Sequence, residues 1–519
     1  MHLLKHFVFL AVSGAVAIAV VQSATLDTII IGGGFSGLSA AKTLAAAGKS
    51  YLVIEARNRT GGRVENAQLP GGGYTEVGGE FFGPTQDHAL NLAKELGVDL
   101  YETYNKGDNV WYLNGHRGRS NAGGLFGSVV PDIDPISLAQ VVTVQYALDK
   151  MAKSINVAEP WKSAKAAEWD KMTFGAWLDE RWLSKDGRAV MDAATTSIFS
   201  AEPFQLSLLY TVAYIASAGN AKNPGTFERL TSTGGGAQMY RVVGGTEILA
   251  TKLADKLGHQ NIALSSPVQT VQKKSDGEYS VVLRNGTAFT SKTVVVAMSP
   301  PVAGLINYDP PLPSQRTELC KLMVMGSIGK AIATYKEPFW RKAGFSGQAV
   351  SDSGTTRATF DQSLHDGSVY ALMGFLEADQ MTRLNNASID QITSEVSKDF
   401  VNYFGPQAAN VTSWTVHRWD LEEFSRGGPV AYAAPGVLTK LGPALATPVG
   451  NIFFAGTESA EYWVGFIDGA LGAGVRSAQQ AIAALVRAEG SPRKESSGAK
   501  LSSSSQPQVA FASCFSRYL

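Results

Sequence analysis

The sequence predicts an α/β fold in which one sheet is gathered from separated stretches of chain, and three observations carry that reading. Near the N-terminus a β-branched run, Thr28 to Ile31, leads into Gly32-Gly33-Gly34-Phe35-Ser36-Gly37 and then into an Ala- and Leu-rich stretch from Leu38 to Ala47. A second strand-like run, Tyr51 to Ile54, follows and ends on Glu55. Far along the chain, Phe453 to Gly456 reads as a buried strand and Gly469 to Val486 as an Ala-rich helix. Alternation of strand and helix is the pattern of a parallel sheet with helices on its faces. Its recurrence at both ends of the chain makes that sheet discontinuous.

The chain has 519 residues, 45% hydrophobic and 17% charged, which is enough for two or three globular domains. Lys plus Arg equals Asp plus Glu, 45 against 45, with no dense basic block, so a nucleic-acid partner is not expected. Two cysteines, Cys320 and Cys514, exclude a disulfide framework. No metal site is expected.

Taken in order, the N-terminal segment reads as a signal peptide, residues 1–23. Lys5 and His6 precede an apolar run from Phe7 to Val21, broken by Ser13 and Gly14, and Val21 and Ser23 suit cleavage after Ser23. The run is shorter than the ~20 apolar residues a membrane span prefers, so a secreted protein without a stable membrane anchor is expected. Asn58, Asn285, Asn386 and Asn410 head Asn-x-Ser/Thr acceptors, which permit glycosylation.

The strand that follows opens onto a G-x-G-x-x-G. Gly32 permits the tight turn, Gly34 lets backbone approach a pyrophosphate, and Gly37 lets helix pack closely on strand. The helix N-terminus presents free N–H groups and partial positive charge to phosphates. Glu55, 18 residues beyond Gly37, can accept hydrogen bonds from both ribose hydroxyls and would repel a 2′-phosphate, which argues against NADP. No second G-x-G-x-x-G follows a strand, so one dinucleotide site has to serve.

The residues after Glu55 say which dinucleotide. Ala56-Arg57 leads to Gly61-Gly62-Arg63 and then to Tyr74-Thr75-Glu76-Val77-Gly78-Gly79-Glu80-Phe81-Phe82-Gly83. Tyr335-Lys336-Glu337-Pro338-Phe339-Trp340-Arg341 lies mid-chain, and Phe453-Phe454-Ala455-Gly456-Thr457-Glu458 with Trp463-Val464-Gly465-Phe466 lies near the end. Together they resemble the flavin-dependent monoamine oxidase family from about Thr25 to Arg487. The resemblance implies a Rossmann-like FAD-binding domain with an inserted α+β substrate domain. FAD would be held by Gly32, Gly34, Ser36 and Gly37, by Glu55, Ala56, Arg57 and Arg63, and by Gly78, Gly79 and Glu80. Val268 would hold the adenine, and Thr457, Glu458, Phe466 and Ile467 would complete the site. Arg63 would lie beside the diphosphate, where a charge-assisted contact is strong, and the positive end of the last helix would face the flavin ring.

On these grounds the FAD-binding domain comprises residues 25–100, 240–298 and 451–487. The substrate domain takes 101–239, helical at Val141 to Ala152, Ala189 to Ile198 and Leu206 to Ile215, together with 299–450, and a Ser-rich disordered tail occupies 490–519.

Lys330 is the candidate catalytic residue. It stands in an apolar, strand-like run from Met323 to Tyr335, on one face with Ile328 and Ile332. An unpaired ammonium is costly to bury, so the residue is either functional or an edge lysine whose head reaches water. The resemblance implies the first role: a lysine bonded through water to the flavin N5 that helps oxygen accept electrons. At the family's covalent cysteine this chain has Gly428, so FAD should be bound non-covalently. Its aromatic cage is altered, with Pro429 and Phe466 where tyrosines stand, and Phe81 completes the expected substrate pocket.

The implied activity is oxidation of small amines to imines and aldehydes, with O2 reduced to H2O2. Amino-acid oxidases place an arginine after the G-G motif, and Gly83-Pro84-Thr85-Gln86 has none, which favours plain amines. Three alternatives remain: a tailoring oxidase or desaturase acting on a C–N or C–C bond of a larger metabolite, a monooxygenase reduced by NAD(P)H, and a flavoprotein that binds a partner without turnover. A homodimer is left open.

Overall fold

In the computed structural model the described residues are 25–121 and 131–489. The leader and the Ser-rich tail of the sequence reading lie outside them, as does Cys514.

An eight-stranded sheet organises the first half of the molecule. Its order is Asn307–Asp309, Val268–Lys273, Tyr279–Leu283, Ala288–Val296, Leu26–Ile31, Tyr51–Ile54, Ile262–Ala263, and Ile452–Phe454 also pairs with Ala288–Val296. Leu26–Ile31 runs parallel to both its neighbours, and Ile452–Phe454 is parallel to Ala288–Val296, so this part is doubly wound. The strands are β-branched because both faces are covered. Ile30, Val53, Val295 and Phe453 pack under helices Phe35–Ala46, Glu247–Leu257 and Ile467–Glu489, while Ile29, Ile31, Val294 and Phe454 pack on the other face. Strand Asn307–Asp309 lies past residue 298, where the sequence reading ends the middle segment of this domain.

A seven-stranded, mostly antiparallel sheet forms the second half, ordered Ser413–Arg418, Ile328–Tyr335, Tyr370–Glu377, Ala358–Asp361, Phe345–Ser351, Asp108–Leu113, His116–Asn121. Helices Pro135–Ala152, Lys185–Phe199 and Leu208–Ser217 build a separate apolar core around Leu148, Met191, Leu208 and Val212.

Three elements differ from the sequence reading. The first helix starts at Phe35 rather than Leu38, and the last runs Ile467–Glu489 rather than Gly469 to Val486. The run from Met323 to Tyr335 is two strands. Met323–Met325 pairs with Ala431–Ala433, whereas Ile328–Tyr335 sits inside the seven-stranded sheet. The chain changes partners at Gly326 and Ser327, whose amides donate to the carbonyls of Val430 and Ser200.

Candidate active site

A single cavity of about 930 Å³ is lined from both sheets. Gly32, Gly34, Ser36 and Glu55 enter it from the first, and Lys330, Val350, Phe360 and Phe375 from the second.

The glycine-rich turn is shaped by packing. A Cβ on Gly37 would stand 1.9 Å from the carbonyl oxygen of Gly32, so helix and strand meet there with no room for a side chain. Gly37 therefore supports the cavity from behind and does not line it. Gly34 caps the helix without any side-chain hydrogen bond, and no acidic residue occupies the first turn. The helix N-terminus is thus left to present its amides and positive end to an anion. Glu55 is buried at the end of its strand; its Oε2 accepts from the Gly33 amide at 2.6 Å and its Oε1 from the Arg57 amide at 2.9 Å. Ala56, Arg57, Gly78, Gly79 and Val268 also line the cavity.

Arg63 and Glu458 are brought onto each other. Arg63 Nη1 donates to Glu458 Oε1 at 2.8 Å and to the carbonyl of Pro429 at 2.7 Å. Arg63 lines the cavity; Glu458 is buried behind it and does not. The sequence reading set both against the cofactor, whereas here Glu458 orients the arginine that reaches the cavity. Beside this pair, Thr457 Oγ1 accepts from the Gly465 amide at 2.7 Å and donates to the Phe466 carbonyl at 3.1 Å. Phe466 is set edge-on to Trp463, with ring centroids 4.8 Å apart, and Trp463 is anchored through its indole N–H to Thr85. Phe466, Ile467, Pro429 and Phe81 all face the cavity. Asp468, in the first turn of the last helix, accepts from the Ala89 amide, and burial pushes its carboxyl up to about 6.

Lys330 is 4% exposed and is not unpaired. Its ammonium donates to the Gly78 carbonyl at 2.7 Å, the Glu76 carbonyl at 3.1 Å and Glu80 Oε1 at 2.6 Å. Three partners satisfy the three donors of an ammonium, which settles how a lysine can point with two isoleucines. The other oxygen of Glu80 takes a 2.5 Å hydrogen bond from Gln362 Nε2 and lies 3.4 Å from Arg241. Arg241 also donates to Glu76 at 2.7 Å, and Glu76 accepts from the Thr246 amide and hydroxyl. Two cations and two carboxylates are therefore linked, Lys330 and Glu80 in the cavity wall and Glu76 and Arg241 behind it. Burial pushes the Glu76 carboxyl up, Arg241 opposes that, and the two acids hold the guanidinium firmly in its charged form.

Sequence reasoning missed Arg241, Glu76 and Gln362 as parts of this cluster, because each pairing spans more than a hundred positions. It named Phe81 for the substrate pocket but missed Phe360 and Phe375, the rest of the aromatic wall. Phe81 lies 5.3 Å from Phe360, Phe360 lies 6.0 Å from Phe375, and the Lys330 ammonium stands 5.6 Å from the Phe375 ring centre. Alternation along Ala358–Asp361 and Tyr370–Glu377 was the one available signal for these rings, and it does not say which face meets a cavity.

The sequence profile described as flavin containing amine oxidoreductase matches residues 35–482. Among known proteins, amine oxidase [flavin-containing] A of Equus caballus is 34% identical over 462 residues, spanning 88% of this chain and 85% of its own. The flavin-containing amine oxidase of Oncorhynchus mykiss is 34% identical over 459 residues, with 88% and 85% covered. Among solved structures, cyclohexylamine oxidase from Brevibacterium oxydans IH-35A aligns with a TM-score of 0.83 at 30% identity, covering 89% of this chain and 100% of that one. Putrescine oxidase bound to putrescine aligns with a TM-score of 0.82 at 28% identity, covering 88% and 99%.

Proposed function

The chain belongs to the flavin-containing amine oxidoreductases, with FAD as cofactor, and on that footing we propose that it oxidises small amines and passes the electrons to oxygen. The observation that carries this reading is the junction of one continuous cavity: a dinucleotide turn at one part of its wall, and Lys330 beside three phenylalanines at another.

The cavity fits the cofactor. At its edge the dinucleotide turn and the Gly61-Gly62 turn pack together, so closely that a Cβ on Gly62 would lie 3.2 Å from the Gly34 Cα. Glu55 is placed for ribose hydroxyls, and Arg63 with the uncapped helix for the diphosphate. Gly428 lines the cavity with no side chain to form a bond, and Cys320, the one cysteine among the described residues, does not reach it, which agrees with FAD held non-covalently. When bound, FAD supplies the two-electron acceptor for the carbon next to nitrogen and the route from there to oxygen, giving an imine and hydrogen peroxide.

The chain's own residues supply the surroundings. Phe81, Phe360, Phe375 and Val350 give the amine an apolar seat, and low polarity favours its neutral, reactive form. Phe466 offers a ring face to the partial positive charge developing on nitrogen; Pro429 cannot do so from its side. Lys330 is held by Glu80 near the site of oxygen reduction. Cyclohexylamine and putrescine, named for two of the structural relatives, mark the range of amine sizes to test.

The test is anaerobic. Purified protein is mixed with single amines, from benzylamine and phenethylamine through alicyclic and aliphatic amines to diamines and amino acids, while the visible flavin absorbance is followed. Bleaching by one class, with peroxide on readmitting air, is the expected result. Bleaching by dithionite but by none of the amines would overturn the small-amine assignment. The apolar leader places the protein in the secretory pathway in this reading, and Asn58, Asn285, Asn386 and Asn410 are all exposed for glycosylation. Expression of the full chain should yield medium-borne protein beginning at Ala24, and retention in the cytosol with an intact leader would contradict it.

A further inference from the structure

One polar side chain in the cavity wall is left unused by the chemistry above. Ser197, near the end of helix Lys185–Phe199, lines the cavity, and its hydroxyl donates to Glu377 Oε2 at 3.3 Å. Glu377 ends strand Tyr370–Glu377 and is paired across the sheet with Ile328, a cavity residue two positions from Lys330. Its carboxyl is 2% exposed, and its Oε1 has no hydrogen-bond partner. The charged groups that act on it are Arg357 and Glu202. Arg357 stands 3.6 Å from Glu202 and 3.4 Å from Asp379, and the Asp379 amide donates to Glu202 Oε1 at 3.4 Å. Asp192 also feels Arg357 but is paired with Arg188 at 2.7 Å. Glu202 and Asp379 thus share one guanidinium, and Glu377 feels the charge of the same arginine. If all three carboxyls were ionised the group would carry surplus negative charge in a largely buried place, so it holds a proton. The row ends outside, since Asp379 is exposed.

We propose that Ser197 and Glu377 form the outlet for the proton that a substrate ammonium must lose before its carbon is oxidised, continued to solvent by Glu202 and Asp379. The proposal rests on the amine-oxidase reading. In the step, an N–H bond of the ammonium breaks and its proton passes to Ser197 Oγ as the hydroxyl's own proton passes to Glu377 Oε2. The carboxylate becomes a carboxylic acid, the amine becomes neutral, and no electrons change hands. An ordinary glutamate, with a pKa of about 4.3, is a poor acceptor for a proton leaving an alkylammonium of about 10. Burial closes much of that gap, pushing Glu377 up to about 8 and, with Asp379 adding to it, Glu202 up to about 7. A group whose proton affinity lies near the working pH both takes and releases protons efficiently. The arriving ammonium favours the carboxylate of Glu377, whose proton leaves towards Glu202 and frees the acceptor.

The experiment uses the FAD-loaded full chain and its Glu377→Gln and Ser197→Ala variants, compared by anaerobic reduction rate from mildly acid to alkaline pH. Wild type should show a rise in rate through the Glu377 transition. Both variants should lose that rise and react about tenfold or more slowly at neutral pH, then converge on wild type in alkali, where the amine enters already neutral. A merely structural role would lower the rate by the same factor at every pH, and that result overturns the proposal. Ser197→Ala keeps the carboxyl in place, so it serves if Glu377→Gln does not fold. Infrared difference spectra give a readout independent of turnover: a carboxylic-acid band lost when amine binds, and absent from Glu377→Gln. Wild type that no amine reduces overturns the amine-oxidase reading itself; wild type that amines reduce, with variants of unchanged profile, overturns the outlet alone.

Discussion

A buried ammonium with three acceptors is held as much by the protein as it serves it. Removing Lys330 should act on two properties that a second substitution separates. Lys330→Met leaves Glu80 short of a partner in a buried site, a change that typically costs about 3–5 kcal/mol, so the variant should unfold at lower temperature while keeping its flavin spectrum. It should also reoxidise more slowly with oxygen, read by stopped-flow after anaerobic reduction. Adding Glu80→Gln to Lys330→Met removes the stranded charge and should restore much of the stability, but not the reoxidation rate; recovery of both would show that the lysine acts only through the fold. Glu377 allows a pH test of the same kind. Its carboxyl binds a proton more tightly folded than unfolded, from the ordinary 4.5 up to about 8. The native state therefore holds the extra proton, and this group's contribution to stability falls as pH rises between those two values. Below 4.5 both states are protonated and the term vanishes; above about 8 it is fully unfavourable. Denaturant melts should show Glu377→Gln matching wild type in acid and exceeding it by a few kcal/mol in alkali.

At the level of elements, the cavity depends on how the helices Phe35–Ala46 and Ile467–Glu489 cross. Ser39 donates to the Leu471 carbonyl at 2.9 Å, and a Cβ on Gly474 would stand 2.1 Å from the Ser36 carbonyl oxygen. Alanine normally gains about 1 kcal/mol over glycine inside a helix. At Gly474 the backbone contact reverses the sign, because overpacking costs roughly 1–3 kcal/mol and pushes the first helix away from the cavity. Gly474→Ala should therefore lower the melting temperature and weaken FAD binding in a titration. Gly472→Ala is the contrast: its Cβ meets only the movable ring of His88, at 3.2 Å, so helix propensity should leave it neutral or stabilised. The two ends of this crossing were separately legible in the sequence, since strand, glycine turn and helix follow one another within a few dozen residues. That they touch was not legible from residue pattern, because the partners lie over four hundred positions apart. The misreading of Met323 to Tyr335 has the same origin. Alternation continues through Gly326 and Ser327, and only their bonds to Val430 and Ser200, on distant segments, divide the run into two strands.

Over the whole molecule the two sheets are joined at the cavity by a segment that follows strand Ser413–Arg418. Arg57, next to the dinucleotide turn, donates to Ser425 at 2.8 Å and to Glu422 at 3.3 Å, and Phe424 lies under both Arg57 and Arg284 at 5.7 and 5.5 Å. Between buried Trp419 and Val430 these links are mostly polar, so the stretch they hold stays in place only as long as both of its sides are fixed. A cofactor touching both sides adds its binding free energy to the folded state, about 2.7 kcal/mol when present at a hundredfold excess over its dissociation constant. In a large chain each kcal/mol moves the melting temperature by roughly 2–4 °C or less, so stripping FAD should lower it by several degrees. The loss should be local before it is global. Arg426 is exposed and sits in this joining segment with φ of 58°, beside the Gly427-Gly428-Pro429 wall of the cavity. Limited trypsin digestion should cut after Arg426 in apoprotein at a dose that leaves holoprotein whole, with Arg57→Ala moving the holoprotein towards the apo pattern. Equal cutting with and without FAD would mean that the segment is fixed by its own packing, and that the two sheets are held together without help from the cofactor.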